Sequence, residues 1–573
     1  MPGSYVVDST ARRRITTATG ALLGRELLEA QAELVTDPTF DPTAPVGPAT
    51  PPAEAEEPPM PRVGAALLLS LVTSVSGAAQ NIAPSSATGC SALRDLRLPD
   101  VRIVAAEARP RDTRPGAVAR VPHCLVSGVI GREIRFWVWL PDRWNQRFFM
   151  GGAGGFAGRL DNQSLASINE GYATAATDTG HDYDGIRAGW ALDDLERQLN
   201  YGHLAMHRTT EVAKAVIRKH YGRDPVRSYF FGCSNGGRQA LMEAQRYPGD
   251  YDGIVSGAPA ISITRIAAGF VKNIQASFPD PSRRTESAIS SDNLRLLETR
   301  VLAACDALDG VRDSVVGDLP GCAFQVASLP ACPGDQAGPG CLTRSQRAAI
   351  ERVYTPITNQ DGVIYPGQPV GGENWPTGWG MWLSGVNQQL MGGTGGAFPS
   401  LQFAFGTEFF KYFVFADSTW DYSRYDFSTW HRDTRLVSTL IDAGNPDLSA
   451  FKARGGKLIL WHGWADPGLN ALETIDYYRE VEKRDPAARE FARLFLLPGV
   501  MHCYGGPGPD RVNWFSAISD WVEHSKPPEH LVATKADTTG KTMRTRPICP
   551  HPLRAVYRGH GSIDNATNFS CGP

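Results

Sequence analysis

Apolar and polar side chains alternate with a period of two along REIRFWVWLP, residues 132–141, the pattern of a strand with one covered face. A shorter apolar run that ends in glycines, RFFMGG at 147–152, predicts a buried strand, and GYATAATDTG at 171–180 predicts another. The period then lengthens. In NYGHLAMHRTTEVAKAVIRKHYG, residues 200–222, apolar positions recur at helical spacing and stop at Gly222, which predicts an amphipathic helix. Strand RSYFFG, a helix that opens in GCSNGGRQALMEAQ and strand DGIVSGAPA come next without a break. Strand and helix in such succession predict a mainly parallel sheet covered on both faces.

Between about 261 and 447 this rhythm is lost to clustered cysteines, many tryptophans and phenylalanines, and Gly/Pro-rich stretches such as MGGTGGAFP. It resumes with GGKLILWHGWADPG (455–468), a helix at about 470–483, strand ARLFLLPGVMHC (492–503) and helix NWFSAISDWVEHS (513–525). The expected organisation is one sheet built from residues 80–260 and 447–573, split by an inserted subdomain at 261–446. At 573 residues the chain is long enough for such an insertion, and no fixed-period repeat is visible.

The first 79 residues stand apart. MPRVGAALLLSLVTSVSGAAQ begins at Met60 with an arginine, a short apolar core and small residues, the form of a secretory signal peptide over 60–79. The expectation is that translation starts at Met60 and that residues 1–79 take no part in the fold. A disordered extension before a membrane anchor is the alternative, but the run is short and rich in small residues for a membrane span. Export to a secreted or periplasmic location, without stable membrane association once the leader is removed, agrees with an even count of ten cysteines. The lack of CxxC pairs argues against zinc. A net charge of −3 with no basic face gives no footprint for nucleic acid.

The chemical signal is Gly232-Cys233-Ser234-Asn235-Gly236, set between a predicted strand and a predicted helix. Gly-x-Ser-x-Gly in that setting is the nucleophile elbow of an α/β-hydrolase fold, whose glycines permit the tight turn that lifts a serine hydroxyl above the sheet. A bare match arises often by chance as a polar turn, so the flanking strand and helix carry the weight. Serine needs a base, and the base needs a carboxylate to hold its tautomer. In this fold the order is Ser, acid, His, each on a loop after a strand. Asp466 in WHGWADPG and His502 in PGVMHC meet both conditions. His462 is the rival and sits where a strand ends, as a packing residue would; His181 precedes the serine and reads as a loop-stabilising residue.

Both Ser234 and His502 have a cysteine neighbour, Cys233 and Cys503. If serine and histidine meet, the two sulfurs lie close, and a 233–503 disulfide would staple one catalytic loop to the other. A free Cys233 acting as nucleophile is the alternative, which export disfavours. So long a closed loop would contribute ~5 kcal/mol in the chain-entropy limit. Oxyanion donors are expected at the Asn235 N–H and in the GGAGG turn, residues 151–155. In CDALDGVRDSVVGDLPGC, residues 305–322, Asp306, Asp309 and Asp313 suit Ca²⁺ with backbone carbonyls of Val311 and Val315, although spacing alone equally describes a solvated acidic loop.

From about Cys90 to Cys571 the chain resembles the tannase and feruloyl esterase family, most specifically in the Cys233-Ser234 and His502-Cys503 pairs with Asp466 between them, and in CDALDGVRDS. The resemblance implies an α/β-hydrolase fold with a large lid domain at 261–446, a Ser234–His502–Asp466 triad and oxyanion donors at Asn235 and Gly155. It implies structural Ca²⁺ in the lid at Asp306, Asp309, Val311, Asp313 and Val315, no organic cofactor, and disulfides Cys90–Cys124, Cys233–Cys503, Cys305–Cys322, Cys332–Cys341 and Cys549–Cys571. The expected substrate is a small ester of an aromatic acid of feruloyl or galloyl type. The alternative is mono(2-hydroxyethyl) terephthalate or a related phthalate monoester, whose free carboxylate calls for an arginine in the lid. The corresponding segment GGAFPSLQFAFGTEFFKYF, residues 395–413, has aromatic side chains and Glu408 but no arginine. A calcium-stabilised binding protein on an inactive hydrolase fold is the reading from another class, and the intact order of serine, acid and histidine argues against it.

Overall fold

Nine strands make two joined sheets in the computed structural model, which describes residues 89–114, 116–391 and 396–573. The expected leader lies outside the described residues. Strands β1 (Val101–Arg109), β2 (His123–Ile130), β3 (Ile134–Pro141) and, beyond β4 (Arg147–Gly151), β5 (Thr174–Thr177) form an antiparallel sheet in the order β1-β2-β3-β5. Strand β4 belongs to the second sheet, with β6 (Arg227–Ser234) and β7 (Gly253–Pro259). The hairpin β8 (Ile357–Asn359) and β9 (Gly362–Tyr365) lies in the insertion, after which β10 (Lys457–Gly463) and β11 (Ala492–Leu497) complete the parallel order β11-β10-β7-β6-β4. The sheets meet where the Phe149 N–H donates to the Ala173 carbonyl at 2.9 Å.

Every residue of β7 is buried, and so is all of β10 beyond Lys457, as a parallel sheet covered on both faces requires. Helix α1 (Ala205–Tyr221) ends at Gly222, whose left-handed φ of 74° closes the helix with an N–H bond to Arg218 O. The periodic segment read as helix from residue 200 begins instead with one π turn, Asn200–Leu204. Helix α2 (Asn235–Arg246) leaves β6 directly and is buried from Asn235 to Ala244. Its Arg238, with no exposed surface, donates to the carbonyls of Tyr201, Gly202 and Ile441 and to Asn235 Oδ1. The π turn thus presents to Arg238 two carbonyls that a regular helix would keep in its own ladder.

The insertion carries α3 (Ile263–Ser277), α4 (Ser291–Cys305), α5 (Arg344–Tyr354), α6 (Leu401–Phe409) and α7 (Trp430–Ile441). It leaves and rejoins the sheet region at one point, where the Ala443 N–H donates to Ile261 O at 2.7 Å and Asp442 accepts from the Thr264 N–H and hydroxyl. One apolar cluster in it joins Phe270, Phe278, Phe403, Phe409 and Phe410; another surrounds Cys305, Leu342 and Trp379. Helices α8 (Ala471–Arg484) and α9 (Trp514–His524) come after it, and two hairpins, β12 (Leu531–Ala536) with β13 (Thr542–Ile548) and β14 (Arg554–Tyr557) with β15 (Phe569–Gly572), end the chain. The segment read as a strand over 492–503 stops at Leu497, and residues 498–503 form the loop that carries His502.

The described cysteines pair as 90–124, 233–503, 305–322, 332–341 and 549–571, leaving none free. Among the described residues no helix is long and apolar enough to cross a membrane.

Candidate active site

Ser234 ends β6 with φ 64° and ψ −127°, a conformation that costs a side-chain-bearing residue ~1–3 kcal/mol and is held only where its surroundings fix it. Gly232 makes the turn possible, since a Cβ there would stand 2.2 Å from Gly236 O. Gln163 braces the same turn, accepting from the Cys233 N–H at 2.8 Å. The Asn235 N–H is the first of α2 and has no acceptor within the helix.

Across the cleft, His502 Nδ1 lies 2.8 Å from Asp466 Oδ2. A carboxylate only accepts, so Nδ1 carries the proton and Nε2 is left free to act as a base. Asp466 is 1% exposed, and its Oδ1 accepts from the Gly468 and Leu469 N–H groups at 2.8 and 2.9 Å. Burial alone would raise this carboxyl, but the His502 charge and hydrogen bonds from His462 and His502 outweigh it and hold Asp466 below the usual carboxylate range. The Cys233–Cys503 bridge connects the residue before Ser234 to the residue after His502.

His462 is fully buried, yet it does more than pack. Its Nε2 lies 3.1 Å from Leu469 O and 3.3 Å from Asp466 Oδ2, and its Nδ1 2.8 Å from the Thr474 hydroxyl. Both neighbours of Nε2 accept only, which places its proton there and gives Asp466 a second donor. His181 stacks on Trp190 with centroids 3.6 Å apart and donates from Nε2 to Phe156 O at 2.8 Å; burial lowers it to about 4, so it is neutral near pH 7. It thereby steadies the loop next to Gly155. Gly155 itself has φ 55°, and a Cβ on it would stand 2.2 Å from Gly185 O. The 151–155 turn is tied to α2 by Gln239 Oε1, which accepts from the Ala153 N–H at 2.9 Å, and by Asn235 Nδ2, which donates to Ala153 O at 3.1 Å.

Ser234, His502 and Gly155 share a cleft of about 530 Å³ whose opposite wall includes Met381, Trp382 and Phe405 of the insertion. A narrower apolar recess opens behind Ser234 between Phe156, Ile263, Ile266, Phe270, Trp382 and Phe409. No lysine or arginine lines either cavity. Trp382 stands edge-on to the His502 ring at 5.0 Å. Of the aromatic run at 403–413, Phe405 and Phe409 reach these cavities, Phe403 and Phe410 pack among other aromatic rings of the insertion, and Phe413 packs against Phe156, Trp190 and Tyr201. Glu408 turns away to accept from the Ala188 N–H at 2.9 Å, and burial raises its pKa. Trp379 packs against Tyr354. Gln163, Arg238 and Trp382 belong to no motif, because their roles depend on which distant segments the fold brings to them.

In the acidic loop, Asp306 Oδ1 accepts from the Asp313 N–H at 3.1 Å and Asp309 Oδ1 from the Val311 N–H at 3.1 Å. Burial chiefly, with the Asp313 and Asp306 charges adding, pushes Asp309 up to about 6 against the Val311 N–H and Arg546. Asp313 Oδ2 is shared with Arg544, at 3.0 Å, and Arg546. The loop thus gathers hard oxygen donors of the kind calcium takes, but its three carboxylates do not all come within 4.8 Å of one another and Asp313 is paired with two arginines.

The family model described as tannase and feruloyl esterase matches residues 119–572. The chain is 33% identical to the mono(2-hydroxyethyl) terephthalate hydrolase of Piscinibacter sakaiensis, over 85% of this chain and 92% of that one. It is 32% identical to a probable feruloyl esterase of Arthroderma benhamiae, over 76% and 82%. The solved structure of feruloyl esterase B from Aspergillus oryzae superposes with a TM-score of 0.74 at 22% identity, covering 84% of this chain and all of that one, a likeness of fold.

Proposed function

The chain belongs to the tannase and feruloyl esterase family and is a carboxylic ester hydrolase, and from that premise we propose that it is an exported serine esterase acting on apolar aromatic acyl esters. The carrying observation is the 2.8 Å contact between His502 and Asp466 in the cleft that the strained Ser234 also lines. In the proposed cycle, His502 Nε2 takes the Ser234 proton as Oγ attacks the ester carbonyl. The oxyanion is met by the N–H groups of Asn235 and Gly155. His502 then protonates the leaving alcohol, and water repeats the sequence on the acyl-enzyme to free the acid. Asp466 stays ionised throughout and supports the imidazolium.

Residues 261–446 act as the lid that selects the acyl group. Their recess has few polar partners to offer, since the Tyr201 hydroxyl is already directed at Gly155 O. Each buried hydroxyl left unpaired costs ~1–3 kcal/mol, so three galloyl hydroxyls are disfavoured against the single one of a feruloyl group. Calcium held by Asp306, Asp309 and Asp313, with the carbonyls of Val311 and Val315, would brace the lid through electrostatic closure of its acidic loop. Five disulfides support export to an oxidising compartment.

Initial rates on methyl ferulate, methyl gallate and mono(2-hydroxyethyl) terephthalate test the reading, alongside Ser234→Ala. The expected order places ferulate first, with Ser234→Ala slower by ~10⁴-fold or more in kcat at an unchanged melting temperature. Retained turnover in that variant removes Ser234 from its role. A second reading, phthalate monoesters, draws support from the Piscinibacter sakaiensis relative and from Arg159, which lines a recess of about 270 Å³ sharing Gly154, Gly155, Ile186 and Phe405 with the cleft.

A further inference from the structure

Far along α2 from Ser234, His207, Glu243 and Asp250 each bring one ligand atom within 4.8 Å of the others, the one such group among the described residues. They come from three places: His207 from α1, Glu243 from α2, and Asp250 from the turn before β7. His207 Nδ1 lies 2.7 Å from Asp250 Oδ2, and its ring stacks on Tyr247 at 3.8 Å and 2°, which fixes the imidazole plane. Glu243 is 1% exposed, no N–H or hydroxyl donor reaches either Oε atom, and its carboxyl lies against that of Asp250. Lys214, the nearby cation, directs its ammonium to the Asp250 carbonyl. Two carboxyls buried against each other are costly to ionise without a cation, and the imidazole of His207 converges on the same point.

The geometry points to a site for one divalent cation of the zinc or manganese type, bound by a His207 ring nitrogen and the Glu243 and Asp250 carboxylates, with water completing the shell. One imidazole with two carboxylates suits these ions better than Ca²⁺, which takes oxygen throughout. The absence of CxxC pairs speaks only against thiolate ligands, and every described cysteine is in a disulfide. Side-chain exposures of 23% for His207 and 13% for Asp250 give the ion a way in. The bound ion would tie α1 and the Asp250 turn to the helix that begins beside Ser234. Its role is therefore to stabilise.

The full chain saturated with Ca²⁺ is titrated with Zn²⁺ by calorimetry and with Co²⁺ by visible absorption, with melting temperature read in parallel. Expected are one Zn²⁺ per chain, Co²⁺ bands showing nitrogen and oxygen ligation, and a higher melting temperature. Glu243→Gln keeps the side-chain shape, removes the ionisable carboxyl and should abolish all three while leaving ester kcat/KM unchanged; His207→Gln should do the same. No zinc uptake by the parent protein overturns the site. So does uptake that survives in both variants, and if that uptake inhibits the esterase the ion sits on His502 instead.

Discussion

The two walls of the cleft are held by different forces. On the sheet side, Ser234, Gly155 and His502 are fixed by directional bonds: Gln163 to the Cys233 N–H, Gln239 and Asn235 to Ala153, Asp466 to His502, and the 233–503 disulfide. On the inserted side, Trp382, Phe405, Ile266 and Phe270 present rings and aliphatic surface with no charged neighbour in the lining. Hydrogen bonds lose their strength steeply with angle, whereas apolar packing accepts volume-conserving change at a cost below ~1.5 kcal/mol. In the proposed reaction the first wall would set which atoms react, and the second which acyl group fits.

The largest effect should come from the directional wall. Asp466→Asn offers His502 an amide that can donate as well as accept, so the useful tautomer is no longer enforced. Loss of kcat by ~10⁴-fold with KM nearly unchanged is expected from steady-state rates, and a loss below tenfold would mean that His462 or another group holds the imidazole. Next comes Arg238→Met. Removing this buried guanidinium leaves the carbonyls of Tyr201, Gly202 and Ile441 unpaired, for a loss of ~3–5 kcal/mol in urea unfolding. A loss under ~1 kcal/mol would show that water replaces the guanidinium and that the sheet wall is less tightly specified than its bonds imply.

The same division separates the features legible in the sequence from those that are not. Sequence order locates the elbow, the acid and the histidine, because a strand, a sharp turn and a helix leave a local pattern at Gly232–Gly236, and the cysteines beside Ser234 and His502 link two distant loops. Strand β1 leaves no such mark: it is an edge strand with mixed exposure and lacks clean alternation. Trp382 cannot be told from Trp379 by composition, although one faces His502 and the other Tyr354, since both sit in a single short helix, Trp379–Trp382. His462 is legible as buried but not as a donor to Asp466, because that contact depends on the loop returning on its own strand.

A smaller effect sharpens the comparison at the seam between the walls. The double variant Cys233→Ala/Cys503→Ala keeps Ser234, His502 and Asp466 and removes only the covalent staple. The staple closes a loop of 270 residues, so stability should fall by ~2–4 kcal/mol in reducing-agent-free melts, with kcat/KM down ~10-fold from looser alignment. Full activity in a variant with a lowered melting temperature would make the bridge a stabiliser of the fold alone.

The smallest change tests the apolar wall. Phe405 packs edge-on to Phe156 at 5.3 Å and lines the cleft opposite Ser234. Phe405→Arg should weaken methyl ferulate through lost packing and improve mono(2-hydroxyethyl) terephthalate through a charge-assisted bond to its free carboxylate. Solvent reaches this position, so the shift in the ratio of kcat/KM is expected to be only ~10-fold. An unchanged ratio would mean that the acyl group never meets the inserted wall. If the parent enzyme already favours the monoester and loses that preference in Arg159→Ala, the charge comes from the flank beside Gly155, and selectivity belongs to the same wall as the chemistry.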